Sequence, residues 1–123
     1  MSNYGAELIL DMHDCNPNKF TRENIKEFFD ALCERIDMEP EDLHFWDDLN
    51  TPGDEKETEP HLVGTSAIQF IRTSNITIHT LDLMQRVYLN IFSCKNFLPN
   101  TVKYCALEFF GGKIVSETFI ERV

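Results

Sequence analysis

The segment Asn75-Ile-Thr-Ile-His-Thr80 alternates strictly, with Ile76, Ile78 and Thr80 pointing one way and Asn75, Thr77 and His79 the other. A period of two is a strand buried on one face only. Ser66–Arg72 and Arg86–Phe92 flank it as similar β-like runs, separated by short polar breaks. Such a half-buried sheet needs a cover. Ile25, Phe28, Phe29, Leu32, Cys33 and Ile36 supply one, at i, i+3, i+4, i+7, i+8 and i+11 of an amphipathic helix. Thr21 is its N-cap, and Pro40 is taken to mark its end.

The other segments fit the same plan. Residues 6–12 are short and aliphatic, like a buried strand, and His13–Asn18 form a polar turn. Leu43–Trp46 is a further short strand. Between Glu39 and Glu59 stand nine acidic residues and one Lys, around Pro52-Gly53, which predicts a solvated loop. Asn100 is expected to cap a second helix carrying Val102, Cys105, Ala106 and Phe109, closed by Gly111-Gly112. Lys113–Glu121 reads as a closing strand. The order β-α-β-β-β-β-α-β predicts an α+β, two-layer sandwich with a mostly antiparallel sheet and two helices on one face. There is no internal repeat, and residues 1–123 form one domain.

Acidic residues number 21 and basic ones 11, a net charge of −10. That disfavours nucleic acid and anionic membrane as partners, because both require clustered Lys and Arg. A cationic small molecule is the natural ligand class. No apolar run approaches a membrane span, and Met1-Ser2-Asn3-Tyr4 lacks the start of a signal peptide. Cys15, Cys33, Cys94 and Cys105 have no CxxC spacing, which predicts free thiols and a cytoplasmic location.

Candidate chemistry centres on His79, with the nucleophile-type residues Ser66, Ser74 and Cys94 nearby in sequence. Taken singly, each is most simply a strand residue. His13, Cys15, His44, His61, His79 and Cys94 lack metal-ligand spacing, so no metal is expected. There is no glycine-rich phosphate loop and no GxSxG elbow.

Thr73-Ser74-Asn75-Ile76-Thr77-Ile78-His79-Thr80, followed by Tyr88-Leu89-Asn90-Ile91-Phe92-Ser93-Cys94, resembles the core of the bacterial and archaeal S-adenosylmethionine decarboxylases. These small pyruvoyl enzymes of polyamine synthesis carry Glu-Ser-His-Leu-Ser-Ile-His-Thr-Trp-Pro-Glu, then an aromatic-Thr-Cys-Gly. The resemblance makes Ser74 the self-cleavage serine, with cleavage between Thr73 and Ser74. It makes His79 the processing base, Ser66 its helper and Cys94 the proton donor of the decarboxylation. Glu7-Leu-Ile-Leu-Asp-Met-His-Asp-Cys-Asn-Pro17 is similar to the family's opening strand and turn.

In that chemistry the serine hydroxyl attacks the preceding carbonyl, and an N-to-O acyl shift gives an ester. Removal of the serine α-proton splits the chain, and hydrolysis leaves a pyruvoyl group. Its carbonyl condenses with the substrate amine and draws off electrons as CO2 leaves. An imidazole suits the elimination, and a thiol still holds its proton at neutral pH. A homodimer with active sites near its interface is implied, and Phe20, Phe97, Phe109 and Phe110 are candidates for interface or core.

The chain departs from the family at Thr73 for Glu, Asn75 for His, Leu81-Asp82-Leu83 for Trp-Pro-Glu, and Lys95 for Gly. The family's substrate-contacting Glu is thus Leu83, and Glu7 and Asp11 are candidate replacement carboxylates. Two alternatives follow: the same chemistry on ornithine or arginine, or an uncleaved relative that binds a ligand or regulates a paralogue. Ser74 and His79 have opposite parity, so Ser74 is expected on a turn or bulge where strain would favour acyl transfer.

Overall fold

A computed structural model describes residues 3–123; Met1 and Ser2, part of the expected leaderless N-terminus, lie outside the described residues. The strands are β1 (Gly5–His13), β2 (Pro40–Trp46), β3 (Gly64–Ile71), β4 (Ser74–Leu81), β5 (Arg86–Ser93) and β6 (Lys113–Arg122). The helices are α1 (Arg22–Arg35) and α2 (Pro99–Phe110). The sheet runs β2-β3-β4-β5-β1-β6, and every neighbouring pair is antiparallel. This is the predicted α+β sandwich.

Alternation decides which side is covered. Leu8, Leu10, Ile76, Ile78, Leu89 and Ile91 are buried against Ile25, Phe28, Phe29, Leu32, Val102, Cys105 and Phe110 of the helices. Residues of opposite parity, including Ile68, Phe70 and His79, stay exposed. Phe20, Phe97 and Phe110 are buried and Phe109 packs against them, so these four serve the core and not an interface.

Local chemistry moves three boundaries. Thr21 caps α1 as expected, its hydroxyl accepting from the Asn24 amide at 3.1 Å. The helix ends at Arg35, and Asp37 turns left-handed with φ 57°, so Pro40 opens β2 instead of closing α1. Asn100 is not the cap of α2. Pro99 begins that helix after Leu98, because its fixed φ suits the first turn and it has no N–H to leave unpaired. Part of the acidic segment is ordered: β2 uses its first residues, and Asp47 accepts two bonds from Arg22 at 2.7 and 2.8 Å.

Phe28 is the centre of the helix layer, with ring centroids 4.9 Å from Phe110 and 5.7 Å from Phe29 and Phe109. Phe28→Ala should destabilise the fold by about 3–5 kcal/mol, seen as a lower urea midpoint at unchanged m-value.

Candidate active site

A two-residue turn, Arg72-Thr73, joins β3 to β4, and Ser74 is the first residue of β4. Ser74 has φ 152°, a region that residues with a Cβ seldom occupy. Ser74 is expected on a turn or bulge; it lies instead in the ladder of β4 directly beside the turn, in this strained conformation. Holding a residue there costs about 1–3 kcal/mol, which the surrounding ladder must supply. Ser74 lies opposite Ile71 on one side and Ser93 on the other.

The register carries on into Cys94, whose amide donates to the Thr73 carbonyl at 3.2 Å. The carbonyl that Ser74 would attack thus already faces a backbone donor. Beneath it, the Thr73 and Ser93 hydroxyls are 2.8 Å apart. Gly5 allows β1 to pass closely, since a Cβ there would collide with Ser93 and Cys94. The Cys94 side chain is exposed, whereas burial pushes the thiols of Cys15, Cys33 and Cys105 up to about 11. Of the four thiols, that of Cys94 alone is open to solvent.

At the far end of β4, on the helix-free face, the Ser66 hydroxyl and His79 Nδ1 are 2.6 Å apart. They are direct cross-strand partners. Trp46 stands opposite Ser66 on β2, and Tyr88 opposite His79 on β5. A cavity of about 450 Å³ opens here, with Trp46, Glu57, His61, Ser66, His79 and Tyr88 in its wall. Sequence reasoning missed Trp46 and Tyr88. Counting across the β4–β5 hairpin would have found Tyr88, but the bulged β2–β3 register hides Trp46.

The four residues therefore form two pairs. Five residues of strand separate Ser74 from His79, about 17 Å at the usual rise. A single copy does not bring the imidazole to the Thr73–Ser74 bond. The candidate carboxylates divide likewise. Glu7 lies in the Asn75–Phe92 row and accepts from Asn90 at 3.3 Å and Arg122 at 2.9 Å. Asp11 lies opposite Tyr88, in the His79 row. Among the described residues no three metal-binding side chains converge.

The fold is an antiparallel sheet with helices on one face, with Ser74 and the Cys94 amide at one end of β4 and Ser66 and His79 at the other. The sequence profile of S-adenosylmethionine decarboxylase matches residues 6–123, and the chain belongs to that family. The adenosylmethionine decarboxylase from Aquifex aeolicus VF5 has a similar structure, with TM-score 0.75 and 16% identity over 99% of this chain and 92% of that one. At that identity the likeness speaks for the fold alone. No curated protein matches the chain significantly in sequence.

The 81–83 segment, whose sequence differs from the family motif, divides between surface and interior. Leu83 is exposed. Asp82 turns to the helix side, into a cavity of about 460 Å³ shared with Phe20, Arg22 and Asp47. Its Oδ1 is buried without a partner, and desolvation pushes its pKa up. A carboxyl with a raised folded-state pKa binds protons that the unfolded chain has already released. Its burial therefore weakens the fold as pH rises through that window. Asp82→Asn should gain in melting temperature over the parent between pH 4 and pH 7, with the gap closing towards pH 3, in parallel thermal scans.

Proposed function

We propose that the protein is a self-processing S-adenosylmethionine decarboxylase whose active sites are assembled between two copies. The observation that carries this is the Thr73–Ser74 bond at a strained turn, its carbonyl against the Cys94 amide. Cleavage there would give chains 1–73 and 74–123.

The second copy follows from the split geometry. The helix-free face carries Ile68, Phe70 and Ile120 exposed to solvent, with Phe92, Tyr88 and Ile9 of the same parity between them. Two such faces packed across a two-fold axis would set the Ser66–His79 end of one copy over the Ser74–Cys94 end of the other. His79 of the second copy then removes the Ser74 α-proton after the acyl shift, and Ser66 holds the imidazole by its hydroxyl bond. The pyruvoyl group that Ser74 leaves supplies the electron sink for loss of CO2. The Cys94 thiol returns a proton to the product carbon. The net charge of −10 steers a cationic substrate towards the site.

The inward turn of Asp82 and the exposed Leu83 favour a second reading on the substrate alone, a basic amino acid such as ornithine or arginine.

Two measurements test this. Intact mass of the denatured protein should show two fragments divided between Thr73 and Ser74, the second carrying a pyruvoyl end. A persistent single species of 14.3 kDa would make it the uncleaved relative. CO2 release from ornithine or arginine, and none from S-adenosylmethionine, would favour the second reading. Ser74→Ala and His79→Ala should each stay uncleaved alone. Co-expressed, they should yield about a quarter of the normal active sites, because half the dimers are mixed and each has one complete site. No cleavage in the mixture would refute assembly between copies.

A further inference from the structure

Ser93 is fully buried under the turn, on the helix side of β5. A buried hydroxyl must be satisfied, and this one is. It lies 2.8 Å from the Thr73 hydroxyl, accepts from the Lys95 amide at 3.0 Å, and faces Met38 Sδ at 3.6 Å. The Thr73 hydroxyl reaches the same sulfur at 3.4 Å. Thr73 is β-branched and stiff at χ1, so fixing its hydroxyl fixes its backbone. The residue is then clamped twice, by its side chain on Ser93 and by its carbonyl on the Cys94 amide.

Resting on the self-processing reading, we propose that the Ser93–Thr73 clamp is a positioning device for self-cleavage, holding the Thr73 carbonyl on the Cys94 amide. In the acyl shift a bond forms between Ser74 Oγ and the Thr73 carbonyl carbon, and the π electrons move onto the carbonyl oxygen. The Cys94 N–H is aimed at that oxygen and meets the charge as it develops. The oxyanion then collapses, the bond from the Thr73 carbon to the Ser74 nitrogen breaks, and the hydroxyl proton passes to that nitrogen. Ser93 touches none of the reacting atoms. It acts through Thr73, and the chain thereby makes use of the residue that replaces the family's Glu.

The test is the half-time of Thr73–Ser74 cleavage by intact mass, with a thermal melt of each variant. Ser93→Ala and Thr73→Val should each slow cleavage about tenfold, the rate equivalent of one buried hydrogen bond. Ser93→Thr and Thr73→Ser keep the hydroxyls and should restore the rate. The double variant Ser93→Ala/Thr73→Val should be no slower than either single one, as expected of one shared interaction. Should Ser93→Ala fail to fold, Thr73→Val at the half-buried turn still decides the matter. Wild-type rates in the variants, or multiplicative slowing in the double one, would overturn the clamp and leave self-processing intact. A wild-type protein that never cleaves would overturn both.

Discussion

The two-residue connection Arg72-Thr73 governs the geometry of the candidate site. So short a hairpin permits one register, with Ile71 opposite Ser74. Five rungs further along, the same register sets Ser66 opposite His79. The β4–β5 ladder then brings the Cys94 amide to the Thr73 carbonyl. A slip of one residue would turn His79 into the core and Ile76 and Ile78 out to water. The core therefore enforces the geometry of both pairs, although it touches neither reacting group.

That enforcement depends on the one-sided cover of the sheet. The helices bury the rows through Leu8, Ile76, Ile78 and Ile91, leaving the opposite rows free to carry polar groups. Chemistry placed on strands gains rigidity that loops do not give. The arrangement also leaves six strands with a bare face, on which Ile68, Phe70, Tyr88 and Phe92 interleave with the candidate residues. The surface that presents His79 is the same surface that would receive a second sheet, so in the proposed dimer association and catalysis would be linked.

Periodicity revealed much of this. The stripe of α1, the alternation of β4 and the closing strand are strong local patterns, and they appear where the sequence places them. Caps and breaks were less legible. Pro99 outcompetes Asn100 for the start of α2, and the left-handed Asp37 ends α1 before Pro40. Phe110, not its neighbour Phe109, is the fully buried residue of the α2 C-terminus. At the site, the spacings Ser66–His79 and Ser74–Cys94 are the arithmetic of two hairpins and are visible in the sequence. That the two pairs stand at opposite ends of β4 is a matter of strand length, which spacing within a motif does not express. The parity mismatch between Ser74 and His79 predicts a turn or bulge at Ser74, whereas the register keeps Ser74 in the ladder and the two residues apart.

Strain and support meet at Ser74. Its φ of 152° sits between a tight turn and two ladders that leave it no relaxed alternative. Replacing its peptide link by an ester removes an amide plane that the turn holds against Ser74's preference. Release of strain therefore runs in the same direction as the acyl shift. The oxygen of that same peptide is held by the Cys94 amide, which binds a developing negative charge better than a neutral carbonyl. Ground-state strain at the serine and transition-state support at the preceding carbonyl act on adjacent atoms of one bond. Neither requires the Glu that the family places before its serine, because both reside in the backbone. A threonine there, with its hydroxyl on Ser93, is compatible with the reaction, and the departure at position 73 weighs less than the departures at 81–83. Those would bear on what the proposed site binds, whereas the proposed self-cleavage would draw on turn, ladder and register.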